Sequence, residues 1–149
     1  MNHQSPNSKA QTVALFGEIL MVEQLARTRV GRALPQGMEL SQFTVLNHLA
    51  GVRDERTPAE LAKAFHLTRG AMSNTLAKLE WAGFIHLRPD WDDARRKRVS
   101  ISPAGRAARD AALTTIGDTI MDMVGDLPVE QLRQSLSVMR KLRESLTEG

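Results

Sequence analysis

Cysteine is absent from all 149 residues, which removes disulfides, thiolate-held zinc and cysteine-based redox sensing together. Tyrosine is absent too. The four histidines, at positions 3, 48, 66 and 86, show no short ligand spacing such as HxxxH, so a metal would need a site assembled from distant helices, and none is expected. With no nucleophile elbow and no phosphate loop, neither catalysis nor a cofactor is expected. No apolar run approaches the roughly 20 residues of a membrane span, and the opening MNHQSPNSKAQ lacks the apolar stretch of a signal peptide. A cytoplasmic chain with no membrane partner is the expectation, and residues 1–11, polar and aperiodic, read as a disordered leader.

What remains is 42% hydrophobic and 25% charged, suited to a single globular domain over residues 12–149. The seven methionines read as adaptable core filling. The informative stretch runs from Thr57 to Gly105. Thr57 can cap a helix, Pro58 fits its first position, and Glu60 can return the capping bond, with Leu61, Ala62 and Phe65 on one face. A second start at Thr68 opens Arg69 to Ala82, where Met72, Leu76 and Leu79 mark the buried stripe and Gly83 fits the end. The other side of that helix offers Arg69, Gly70, Ser73, Asn74 and Lys78. It is small, polar and cationic, as a helix lying in a major groove roughly 12 Å wide must be.

Two short strands are expected next, Phe84 to Leu87 and Val99 to Ser102, with RPDWDDARRKR between them. A tip this long, carrying Arg95, Arg96, Lys97 and Arg98 in a row, reads either as a solvated face that protects an edge strand or as a cationic arm for the neighbouring minor groove and phosphates. Charge favours the second. Residues 57–109 hold ten basic and five acidic side chains, an excess larger than the whole chain's net +3, so positive charge is concentrated on the motif. Asp90, Asp92 and Asp93 either brace the arm through its arginines or weaken non-specific binding.

The fold class expected is therefore mainly α with a small β wing: a winged helix-turn-helix over 39–103, wing 84–102, inside a scaffold of N- and C-terminal helices at 12–36 and 104–148. Val13, Phe16, Ile19, Leu20, Leu25, Ala26 and Val30 give the first helix an irregular apolar stripe that should stop before Pro35. Leu40 to Val52 forms the next. After the wing, a helix through Ala112, Ile116, Ile120 and Met123 breaks at Pro128, and the last repeats Leu132, Leu136, Met139, Leu142 and Leu146. Stripes at both ends exceed what a small central domain can cover. A homodimer is the economical way to bury them, with packing onto the winged unit as the alternative.

Over about Ala14 to Leu146 the chain resembles the MarR family of bacterial transcription regulators. The resemblance rests on GMELSQFTVLNHLA with Gln42 and Leu46, on TPAELAKAFHLTRGAMSNTLAKLEWAGFI with Leu79, Glu80 and Gly83, and on Asp93, Arg95, Ile101, Ser102 and Gly105 of the wing and the turn after it. It implies a dimeric regulator, usually a repressor, that binds a pseudo-palindromic operator in double-stranded DNA and is released by a small aromatic or phenolic effector. DNA contacts then fall to Thr68, Arg69, Gly70, Ser73, Asn74 and Lys78 on the helix-turn-helix and to Arg95, Arg96, Lys97 and Arg98 on the wing. Arg27, Arg29, His48 and Trp81 are the candidates for an effector pocket; otherwise the arginines are surface residues, His48 is a half-buried helix residue and Trp81 fills the seam beside the dimer helices. Three positions depart from the family pattern. Ala94 stands where the first of two wing arginines is common, which passes that contact to Arg95 or Arg96; Glu39 replaces a frequent Thr cap; Ala71 replaces a frequent Ser or Thr. Two other readings fit the same fold: a ligand-independent DNA-binding regulator competing with nucleoid proteins, and a winged-helix module that binds protein.

Overall fold

The computed structural model describes residues 6–148. Its elements run α1 (Pro6–Ala33), α2 (Leu40–Gly51), α3 (Pro58–Ala64), α4 (Arg69–Trp81), β1 (Ile85–Pro89), β2 (Lys97–Ile101), α5 (Pro103–Val124) and α6 (Val129–Glu148). The described residues fall into two units that are each compact by themselves, one ending at Thr119 and the other beginning at Ile120. Among the described residues no helix is long and apolar enough to cross a membrane.

In the first unit, the caps explain why the helices start where they do. Thr57 Oγ1 accepts the Glu60 amide at 3.1 Å while Glu60 Oε2 accepts the Thr57 amide at 2.9 Å, so two end groups of α3 are satisfied reciprocally. Thr68 Oγ1 accepts the Ala71 amide and starts α4. Between α3 and α4 the chain turns at His66, which sits at φ 50 in the left-handed region. The end of α4 is a Schellman closure: Gly83 at φ 75 donates its amide to the Glu80 carbonyl, and the Phe84 amide reaches the Leu79 carbonyl.

The core gathers Val45, Leu46 and Leu49 of α2, Leu61 and Ala62 of α3, Met72, Leu76 and Leu79 of α4, and Ile85 and Val99 of the strands. The buried faces of three helices thus close over one face of the two-stranded sheet, and α4 is held with its opposite face outward. A second cluster joins Leu34 of α1, Phe43 of α2, and Ala112 and Ile116 of α5. Gly105 has no room for a side chain, because a Cβ there would overlap the Phe84 carbonyl oxygen; the start of α5 therefore rests directly on the residue that leaves α4.

Several boundaries differ from the sequence expectation. The leader expected over 1–11 is helical from Pro6, where proline fits the first helical position and Lys9, Ala10 and Gln11 are good helix formers; positions 1–5 lie outside the described residues. The expected strands shift outward, to 85–89 and 97–101, so the tip shortens to residues 90–96 and Lys97 and Arg98 stand in β2. Paired registers Arg88 with Arg98 and Pro89 with Lys97 extend the ladder into what composition marks as loop, where propensity is weak but pairing is available. Glu39, the unusual cap position, does open α2: its amide donates to Gln42 Oε1 at 2.7 Å.

Candidate nucleic-acid interface

On α4 the buried side chains Met72, Thr75, Leu76 and Leu79 fix the inward direction. Arg69, Gly70, Ser73, Asn74, Ala77 and Trp81 are exposed away from it. The N-terminal part of this face borders a cleft of about 660 Å³ whose walls are the cap Thr57 and Pro58 to Glu60 of α3, Arg69 and Ser73 of α4, and Arg95 to Arg98 of the wing. Six expected DNA contacts, Arg69, Ser73, Arg95, Arg96, Lys97 and Arg98, therefore share one concave surface. Thr68 caps the helix beside it, and Gly70 and Asn74 lie on the exposed face of the same helix.

The wing is braced by its own acids. Asp90, 8% exposed, accepts Arg98 Nε at 3.1 Å on Oδ2 and the Asp92 amide at 3.0 Å on Oδ1. Asp93 Oδ1 accepts both the Arg95 amide at 3.0 Å and Arg95 Nε at 3.2 Å, and Arg96 Nε stands 3.7 Å from Oδ2. The Asp92 amide holds the Asp90 carboxyl below the usual carboxylate range, aided by Arg98; the Arg95 amide and side chain do the same for Asp93. Of the two roles left open for these acids, bracing is what Asp90 and Asp93 do. Arg95 keeps a side chain 92% exposed despite its bond to Asp93. Exposed pairs of this kind contribute under about 1 kcal/mol, so an incoming phosphate can recruit the guanidinium.

The base of the wing is fastened to the α2–α3 loop. Arg56 and Val99 exchange main-chain bonds of 3.1 and 2.7 Å. Arg88 Nε donates to Glu55 Oε1 at 2.9 Å, which raises the arginine's pKa further, and its guanidinium lies 5.5 Å from the Trp91 ring centre. The sequence does not announce this stack, because neither Glu55 nor Trp91 belongs to a recognisable motif; the Arg56–Val99 bridge brings Glu55 to Arg88, which Trp91 follows by three residues.

Lys78 does not join the cleft. Its ammonium donates to both carboxylate oxygens of Glu39, at 2.9 and 3.0 Å, so its charge is already matched by the residue that opens α2. Nor does the cleft gather the effector candidates. Arg27 is exposed on α1 and paired with Glu23, Arg29 is exposed on the same helix, and His48 is half-buried with its ring edge-on to Phe65 at 5.4 Å. Trp81 fills no seam within the chain; it is 93% exposed beside a shallow depression bordered by Glu39, Gln42 and Lys78.

Residues 36–96 match the model of the MarR family. Among solved structures, MarR from E. coli in its apo form is 24% identical, with a TM-score of 0.74 over 86% of this chain and 96% of that one. Sco3205, a MarR family transcriptional regulator from Streptomyces coelicolor solved in complex with DNA, is 23% identical, with a TM-score of 0.78 over 92% of each chain. BldR, a transcriptional regulator from Sulfolobus solfataricus, is 23% identical, with a TM-score of 0.70 over 93% of this chain and 98% of that one. Residues 36–96 are thus similar to the MarR family, and the chain has the fold that these solved regulators share.

Proposed function

We propose that this chain is a homodimeric, sequence-specific DNA-binding regulator of transcription, acting as a repressor that a small aromatic or phenolic molecule releases. The observation that carries the DNA reading is the shared surface of Arg69, Ser73 and Arg95 to Arg98, a cleft walled by a recognition helix on one side and four consecutive cations on the other. Gly70, Ser73 and Asn74 put little bulk between α4 and the base edges, so Asn74 can pair with an adenine while Arg69 reaches a guanine or a phosphate. Arg95, bridging the gap left by Ala94, is assigned to the minor groove, with Arg96, Lys97 and Arg98 on the phosphates. Lys78, which stands outside the cleft beside Glu39, has no base in this assignment. Sco3205 has been solved with DNA and a MarR mutant from E. coli with operator DNA, and the common fold supports the same partner here.

Dimerisation is supported by apolar side chains left in water. On α1 these are Val13, Leu20, Met21, Val22 and Leu25; on α6, separately, Leu136, Val138 and Leu146. A helix apolar on several sides is normally buried on several sides. Two recognition helices about 34 Å apart then address successive major grooves, which makes the target a pseudo-palindrome. Release requires an effector that prefers the non-binding spacing of the two helices. The test is equilibrium binding to duplexes enriched from a random pool, with molar mass by light scattering: a dimer that selects an inverted repeat supports the reading, and a monomer or a protein indifferent to duplex DNA in dilute salt overturns it.

A further inference from the structure

Trp81 carries an exposed indole on the one face of α4 that the core leaves free, and neither base reading nor the wing gives it any work. At 100° per residue, the direction opposite Met72, Leu76 and Leu79 is held by Gly70, Asn74, Ala77 and Trp81, so the indole is the last member of the groove-facing stripe. A Cβ at Gly70 meets nothing within 4 Å, and Ala77 adds a single methyl. The stripe is thin along most of its length and bulky only at Trp81. Lys78 points to one side of the stripe, toward Glu39, so the stripe itself ends in an apolar ring with one N–H donor.

We propose that Trp81 is a DNA contact that grips the sugar-phosphate wall of the major groove rather than a base. The inference rests on α4 being the recognition helix. Gly70 and Trp81 are 11 residues apart, which is about 16 Å along the axis, while the major groove curves around the duplex. A straight helix cannot keep both ends over the base edges. With Gly70 and Asn74 over the bases, Trp81 meets the groove wall, where its ring covers deoxyribose and its Nε1–H donates to a phosphate oxygen. Such a contact fixes the angle of the helix and carries no sequence information.

Trp81 and Trp91 are the chain's two tryptophans, so Trp91→Phe leaves Trp81 as the sole indole emitter. That variant is titrated with a fluorescein-labelled duplex recovered by selection, with anisotropy reporting binding and acrylamide quenching reporting access to Trp81. The expected result is a several-fold fall in quenching as anisotropy saturates. In the natural background, Trp81→Ala should weaken binding about tenfold, evenly for selected and unrelated duplexes, and Trp81→Phe should recover part of it. Saturating anisotropy with unchanged quenching overturns the inference and leaves the DNA reading standing. Quenching that falls with protein concentration before DNA is added assigns the ring to a second copy of the chain and also overturns it. Unchanged anisotropy with every duplex overturns the DNA reading itself and this inference with it.

Discussion

Ser102 donates its hydroxyl to the Gly83 carbonyl at 2.6 Å across 19 residues of sequence. The same oxygen accepts the Gly105 amide at 3.0 Å, and the Ser102 amide donates to the Phe84 carbonyl at 2.9 Å. One buried side chain thus ties the end of α4 to the end of the wing and caps α5. Ser102→Ala leaves a carbonyl and an amide without that partner inside the protein, so it should destabilise the fold by about 1 to 3 kcal/mol. Urea unfolding at one fixed protein concentration checks it, because any association would otherwise shift the midpoint.

Glu39 neutralises Lys78, and removing that carboxylate should help DNA rather than hinder it. Glu39→Gln retains the α2 start through the amide bond to Gln42 and frees one ammonium beside α4. Tighter binding in dilute salt is expected, with the logarithmic salt slope steeper by about one unit. Weaker binding would mean that the pair orients Lys78 for the duplex.

Depressed carboxyl pKa values at Asp90 and Asp93 set the sign of the wing's pH response. A group whose pKa is lower folded than unfolded contributes stability above its unfolded value, about 3.9, and loses it as the pH falls through the folded value. The brace is therefore constant from neutral pH down to about pH 5 and fails only in stronger acid. Comparing acid unfolding of the natural chain with that of Asp93→Asn should show a stability difference that is flat above about pH 5 and shrinks below it.

Much of the fold is legible in the sequence because capping chemistry is local. Thr57 with Pro58 and Glu60, Thr68, and Gly83 each announce an end within four residues, and those ends fall where the spacing predicts. The strand limits are less legible. Their last pairs, Arg88 with Arg98 and Pro89 with Lys97, are long-range and carry no β propensity, so the tip reads as longer than it is. At the interface, the clustering of Arg69, Ser73 and the wing cations follows from order along the chain. The fates of Lys78 and Trp81 do not, because one depends on a partner 39 residues away and the other on which way a helix end faces once its stripe is buried.

The most direct measurement of the central claim is the salt dependence of duplex binding, made on the natural chain and on a variant with Arg95, Arg96, Lys97 and Arg98 changed to Gln. If Arg95 lies in the minor groove and Arg96, Lys97 and Arg98 on phosphates, the natural chain gives a steep negative slope of log affinity against log salt, and the variant flattens it by about 0.9 unit for each phosphate that is no longer neutralised. Equal slopes for the two proteins would contradict the assignment of the wing to DNA.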